Sequence, residues 1–386
     1  MRIAAAMTVL AGLALGASAP AVSQRRPALV ELETTVVTPG IPFPRFAVDA
    51  AWPRMPEGLI VGQVSGVAVA PDDTIWFVHR PASLTPFETG AARQPPTALC
   101  CRPAPTVVHF AKDGRYLGGF GGDAPRPVVD GVDQWPKSPH GIFIDAGNTV
   151  WLGGNGDGDN AVLNYSADGR YLRQIGRREK AGSNTDGTTL GQPADIHFDG
   201  AHVLIADGYG NKRLARFDKD LRFVGAYGAD GRPARPDLPK NQPSDPDAKD
   251  FGDIVHCVVP TGDGHLYVCD RRNNRAQLFR VAADGSLTFL RTVAPAPNST
   301  DGTRSVTDIA LSPDKRFLYV ADMMNGRIWI LRRQDHRVIA TVGRNGRLPG
   351  QFTWLHSIAT DREGDLYATE VATGQRMQKL VMTGVR

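Results

Sequence analysis

One pattern of apolar and polar positions recurs along the chain. A short apolar strand leads into a turn rich in Asp, Gly or Pro, and a second strand of aliphatic and aromatic residues returns from it. Six copies are present. Three read GVAVAPDDTIWFVHR from Gly66, GIFIDAGNTVWLGG from Gly141 and DIHFDGAHVLIADGYGNKRLARF from Asp195. Three more read CVVPTGDGHLYVCDRRNNRAQLF from Cys257, DIALSPDKRFLYVADMMNGRIWIL from Asp308 and SIATDREGDLYATEVATGQRMQKL from Ser357. In several copies the second strand runs through a turn such as Asn211-Lys212-Arg213, Asn274-Arg275 or Gly326-Arg327 into a third. Each unit is therefore a small antiparallel sheet of about four strands, which cannot bury both faces alone. Six such sheets in a ring can, and they leave only short edges, so the pattern predicts an all-β, six-bladed β-propeller.

The copies stand about 50 to 75 residues apart, and the excess falls in loops. The largest inserts, around Pro81–Pro105 and Asp230–Lys249, are rich in Pro and polar residues and read as loops over one face. The segment from about Leu32 to Pro56 precedes the first copy. It is expected to close the ring by adding a strand to the last blade, paired with Gln378–Val385.

A length of 386 residues suits two ordinary domains, but a repeat architecture lets one propeller occupy all of 22–386. Residues 1–21 read as a secretory signal. Arg2 is the positive end, an apolar stretch runs from Ile3 to about Leu15, and Ala19-Pro20-Ala21 supplies small residues for cleavage. The mature chain is then expected to be secreted or periplasmic, soluble and free of the membrane. The net charge of +4 comes from scattered Lys and Arg, which speaks against a nucleic-acid partner. Of the four cysteines, Cys100 and Cys101 are adjacent. Cys257 and Cys269 flank a turn at Gly262-Asp263-Gly264 that sets them on neighbouring strands, where a disulfide and free thiols both fit.

Chemistry enters when the copies are laid over one another. The residue before each first strand is Ser65, His140, Ala194, His256, Thr307 and His356. Histidine occupies copies two, four and six. In a propeller the same position in each blade meets the axis at the same level, so these imidazoles converge with near threefold geometry. Three imidazoles with an open fourth position form a catalytic metal site, and imidazole suits zinc and iron alike. A second register lies fourteen residues after Gly66, Asp195 and Cys257, at Arg80, Tyr209 and Arg271. Arginines there suit a carboxylate, and a tyrosine beside a cation suits a base.

The ordered set Pro139-His140-Gly141-Ile142, Gln192-Pro193-Ala194-Asp195-Ile196, Asp207-Gly208-Tyr209-Gly210-Asn211-Lys212-Arg213, His256 with Asp270-Arg271, and Leu355-His356 resembles the peptidyl-α-hydroxyglycine α-amidating lyases, also called peptidylamidoglycolate lyases. The resemblance covers about Gly62 to Leu380 and implies an NHL-repeat propeller. It implies zinc on His140, His256 and His356, an active-site tyrosine at Tyr209 and active-site arginines at Arg80 and Arg271. It also implies a structural calcium in the channel, held partly by the backbone carbonyls of Val67 and Ile142. Some positions depart from the family. Gly191 and Gly210 replace one cysteine pair, and Tyr267 and Leu278 replace another. Ser357 stands where the calcium carboxylate is expected, and Trp354 replaces a methionine beside the last histidine.

The expected substrate is therefore a small molecule or peptide ending in an α-hydroxyglycine-like group, split to an amide and glyoxylate. Two other readings remain. One is a lactonase-like metal-dependent hydrolase, whose sites use Asp, Glu and Asn ligands. The other is a binding module without catalysis.

Overall fold

Each copy becomes the two inner strands of a four-stranded antiparallel sheet, and the six sheets form the blades of a ring. The computed structural model describes residues 29–121, 126–200, 202–296 and 304–386; the expected signal peptide lies outside them. From the axis outward, blade one comprises Gln63–Val69, Ile75–Arg80, Val107–Phe110 and Tyr116–Phe120. Blade two comprises Pro139–Ile144, Val150–Gly154, Ala161–Tyr165 and Tyr171–Gly176. Blade three comprises Asp195–Phe198, His202–Asp207, Arg213–Asp218 and Phe223–Tyr227. Blade four comprises Val255–Pro260, His265–Asp270, Arg275–Val281 and Leu287–Val293. Blade five comprises Asp308–Leu311, Phe317–Asp322, Arg327–Arg332 and Arg337–Val342.

Blade six joins the two ends of the chain. Its inner strands are Leu355–Thr360, Leu366–Glu370 and Arg376–Val385, and its fourth is Pro44–Asp49, antiparallel to Arg376–Val385 as expected. Two shorter strands extend the closure beyond blade six's fourth strand. Leu29–Glu31 caps the edge of blade six, and Thr34–Val36 caps blade five. Both cover sheet edges that would otherwise present unpaired backbone groups.

The apolar runs of the second strands follow from burial on both faces. Phe77 packs toward blade six with Tyr367, while its neighbours Trp76 and Val78 pack toward blade two with Ile142. A cluster of this kind fills each junction around the ring. Cys257 and Cys269 stand directly opposite and are joined as a buried disulfide, with Cα atoms 4.8 Å apart. Cys100 and Cys101 are joined to each other in the loop after blade one.

The Asp and Arg residues at the strand ends are structural. Asp207–Arg213 at 2.8 Å, Asp270–Arg275 at 2.9 Å and Glu370–Arg376 at 2.7 Å repeat one ion pair across the turn after the second strand. Asp270 also accepts from Asn273 and the Gly252 N–H, and Arg275 donates on to the Pro246 and Asp250 carbonyls. Burial raises the Asp270 carboxyl, and Arg275 is the leading force against it. Removing one partner of such a pair strands the other charge. Arg275→Ala is therefore expected to cost about 3–5 kcal/mol of stability, read as a lowered urea midpoint.

Candidate metal centre

Each of the three register histidines sits on an irregularity of its inner strand. The pairing of blade two slips between Pro139 and Ile142, that of blade four between Val255 and Cys257, and that of blade six between Leu355 and Ser357. An extra residue in one strand bends it and re-aims a side chain, here toward the axis. Gly141, just after His140, lies so close to blade three that a Cβ would come within 2.5 Å of the Ala194 carbonyl oxygen.

The trio is compact and nearly symmetric. Ring centroids are 5.0 Å apart for His140–His256, 4.8 Å for His140–His356 and 4.8 Å for His256–His356. Ligand nitrogens of the three lie within 4.8 Å of one another, and all three residues are buried. Each Nδ1 stands 2.7 Å from a backbone carbonyl of the following blade: His140 to Ala194, His256 to Thr307 and His356 to Ser65. Those carbonyls belong to the same register position in the odd blades. A carbonyl only accepts, so each Nδ1 carries the proton and each Nε2 keeps its lone pair, as metal-binding histidines commonly do. The His256 Nε2 is buried without a hydrogen-bond partner. Burial pushes all three well below the usual imidazole value. Like-charged neighbours add to this, chiefly His356 for His140, Arg271 for His256 and Arg80 for His356. Three neutral, aligned nitrogen donors could hold a metal ion, and this is the one such group found among the described residues.

The second register stands over the trio. Tyr209 Oη lies 2.9 Å from His140 Nε2, and an N–H of Arg271 donates to it at 3.3 Å, with the Arg271 guanidinium carbon 5.4 Å from the ring centre. The local cause is a repeated backbone device. Gln192, Ile254 and Trp354, each two residues before a register position, adopt positive φ of 56°, 76° and 62°. Their carbonyls accept the N–H groups of Tyr209, Arg271 and Val371. For Ile254 and Trp354 this conformation costs on the order of 1–3 kcal/mol, a strain spent on aiming the turn residues. Gly208 allows the close approach, since a Cβ there would meet the Val255 backbone at 2.0 Å.

Arg80 is held differently. It donates to the Pro139 carbonyl at 3.0 Å, Gln63 Oε1 at 2.9 Å and Asn155 Oδ1 at 3.2 Å. Burial lowers its guanidinium, against the fields of Tyr209 and Asp159. Asn155 occupies the blade-two position of the second register, fourteen residues after Gly141, so register counting could have found it. Next to Arg80, His79 accepts the Gly62 N–H at Nδ1 (3.1 Å) and donates to the Pro105 carbonyl from Nε2 (2.9 Å). Burial pushes it down to about 4. Protonation at Nδ1 would set two donors face to face. A base lowered by folding stabilises above its unfolded value and loses that contribution as pH falls from 6.5 toward 4. The loss is on the order of 3 kcal/mol. The urea midpoint is expected to drop between pH 7 and pH 4.5, and to drop less in His79→Gln.

On the other side of the trio a channel cavity of about 250 Å³ runs down the axis. Val67 and Ile142 line it, together with Asp195, Asp308, His197 and Ser357. Asp195 accepts the Ile196 and Val258 N–H groups, and Asp308 accepts those of Ile309 and Ile358. Each carboxylate thus ties its own blade to the next. The Ser357 hydroxyl donates to Asp308 at 2.7 Å. Burial raises both acids, and the charge of Asp195 raises Asp308 further.

Two residues at the mouth were not signalled by either register. The Arg304 guanidinium carbon lies 5.8 Å from the Trp354 ring centre. The backbone sets Arg304 beside the turn that carries Arg271, since the next residue, Ser305, donates its N–H to Asn274 Oδ1 at 3.2 Å. Arg304 belongs to the loop before blade five, where the sequence carries no repeat.

Comparisons with known proteins agree with the fold and touch the chemistry. The profile of a family described as Lactonase, 7-bladed beta-propeller, matches residues 237–358. The ring here has six blades. Human NHL repeat-containing protein 3 is 25% identical over 293 residues, spanning 72% of this chain and 73% of that protein. A probable peptidyl-alpha-hydroxyglycine alpha-amidating lyase of Caenorhabditis elegans is 22% identical over 305 residues, 76% of this chain and 70% of its own length. Peptidyl-glycine alpha-amidating monooxygenase B of Xenopus laevis is 26% identical over 243 residues, of which this chain spans only 24% of the length. In fold alone, the β-propeller domain of Cps50 (Swd1) from Myceliophteria thermophila superposes with a TM-score of 0.50 at 12% identity, over 91% of this chain and 100% of that one. The chain is a six-bladed propeller of the NHL-repeat type, and amidating enzymes are among the proteins it resembles at low identity.

Proposed function

We propose that this chain is a zinc-dependent lyase that splits the C–N bond of an N-acyl or peptidyl α-hydroxyglycine, giving an amide and glyoxylate. The observation that carries the reading is the trio His140, His256 and His356 with the Tyr209 hydroxyl 2.9 Å from it and Arg271 on that hydroxyl. Zinc fits the donor set, because three neutral imidazoles leave a fourth position open. Bound there, it would supply Lewis acidity to the substrate hydroxyl oxygen.

The residues of the chain do the rest. Tyr209 takes the hydroxyl proton as general base. As the C–O bond becomes a carbonyl, the C–N bond breaks and its electrons go to the amide nitrogen. Tyr209 returns the proton to that nitrogen. Arg271 steadies the tyrosine oxygen while it is negative, and Arg80 adds positive charge from the other side. The sum is one hydroxyglycine in, one amide and one glyoxylate out, with no redox change. Calcium would find oxygen ligands in the channel near Val67 and Ile142, with the carboxylates supplied by Asp195 and Asp308 instead of residue 357. No step above depends on it. Residues 1–21 support a secreted or periplasmic site of action, on a small-molecule or peptide substrate.

The match of a lactonase profile over 237–358 favours a second reading, a metal-dependent hydrolase. Against it stands the donor set, which is histidine alone. The test is to incubate zinc-loaded protein with N-benzoyl-α-hydroxyglycine and, separately, with simple lactones. Release of glyoxylate and benzamide in equal amounts is the expected result. Hydrolysis of lactones without glyoxylate would replace this reading with the second. No turnover of either would leave a binding module.

A further inference from the structure

We infer that Arg271 and Arg304 together form a carboxylate-binding subsite beside the histidine trio, with the Trp354 ring as the plate that holds Arg304 in place. That the carboxylate belongs to an α-hydroxyglycine rests on the lyase reading. The anion site itself does not.

Arg80 and Arg271 stand at this centre and Arg304 lies on the loop beside it, over Trp354, and among the described residues none of the three has an acidic side chain within ion-pairing distance. Elsewhere the chain pairs its buried arginines with care, as at Arg213 and Arg275. A cluster of unmatched guanidinium groups is costly unless an anion completes it. Their donors are unequally free. Arg80 has three N–H groups tied to Pro139, Gln63 and Asn155. Arg271 makes one side-chain bond, to Tyr209, and the Arg304 guanidinium makes none among the described residues. Arg271 and Arg304 therefore hold most of the unused donors, and a carboxylate takes two in parallel.

The position of Arg304 is built on both sides. Its carbonyl accepts the Met323 N–H at 3.0 Å, and the next residue, Ser305, donates its N–H to Asn274 Oδ1 at 3.2 Å. Its guanidinium lies over Trp354. Trp354 is fixed in turn: its carbonyl accepts the Val371 N–H at 3.1 Å, and the Thr353 N–H donates to Glu370 at 2.6 Å. Trp354 as a residue is 37% exposed, so it is not part of the core. An aromatic face orients a guanidinium without consuming its in-plane N–H groups. Burial lowers Arg304 from its ordinary value, Arg271 lowers it further, and Tyr209 opposes both.

The test uses zinc-loaded protein, its Arg304→Ala, Arg304→Lys and Trp354→Ala variants, and two readouts. The first is calorimetric binding of glycolate, the smallest α-hydroxy carboxylate, which needs no turnover. At least about a tenfold loss is expected in Arg304→Ala, a partial recovery in Arg304→Lys and an intermediate loss in Trp354→Ala. The second is the preference for N-benzoyl-α-hydroxyglycine over its methyl ester, expected to collapse by a similar factor in Arg304→Ala. Zinc content equal to wild type shows that the variants are folded. Unchanged glycolate affinity in folded Arg304→Ala overturns the proposal, as does a wild-type protein that does not bind glycolate. Glycolate binding that needs Arg304 in a protein without lyase turnover keeps the anion subsite and removes only the reaction.

Discussion

Replacing His256 by alanine is expected to remove both the metal and the activity. Wild-type protein should carry about one zinc per chain by elemental analysis, and the variant close to none. Two imidazoles and water make a far weaker site than three. The loss of several kcal/mol of charge stabilisation corresponds to a rate loss on the order of a thousandfold. Folding should survive, because His256 makes a single hydrogen bond, to the Thr307 carbonyl. Circular dichroism of the variant checks that point. A variant that keeps its zinc would show that the ion sits elsewhere. A wild type that takes up no metal would remove the catalytic reading altogether.

Tyr209→Phe is expected to separate chemistry from binding. The ring stays, so its contacts with His140 and with the Arg271 guanidinium remain. Only the oxygen that lies 2.9 Å from His140 Nε2 is lost. A general base contributes about 10²- to 10⁴-fold, and that loss should fall on kcat with little change in KM. Zinc content should be unaffected, since the phenol is not among the three nitrogen donors. Turnover that persists in the phenylalanine variant would hand the proton to another group.

The parts of this molecule that repeat were legible in its sequence. Six copies set the blade count, and the level of His140, His256 and His356 followed from counting, because equal steps along a repeat become equal heights on an axis. Tyr209 and Arg271 were found the same way, but the reason for their register was not visible. It lies in the left-handed residues Gln192 and Ile254, whose carbonyls catch the turn. Trp354 was marked in the sequence as a departure beside the last histidine, but its meeting with Arg304 was out of reach for the opposite reason. Arg304 stands on a loop without repeat, and no spacing encodes the contact. The short strands Leu29–Glu31 and Thr34–Val36 carry too little alternation to announce themselves, and exist because a sheet edge is there to receive them. Asp195 and Asp308 were legible only as the first residues of their copies. Their partners are backbone N–H groups of the next blade, known once the ring is closed.

The carbonyl that orients His356 belongs to Ser65, 291 residues earlier in the chain. The blade that carries His356 is completed by Pro44–Asp49. A nascent chain can therefore build blades one to five as it emerges, yet it holds only two of the three imidazoles until its last segment is made. Contacts of such long range form late. Under the proposed function the centre is thus a checkpoint on completeness: a truncated or half-folded molecule would lack the third imidazole, and only a finished ring would hold the metal in full and turn over substrate.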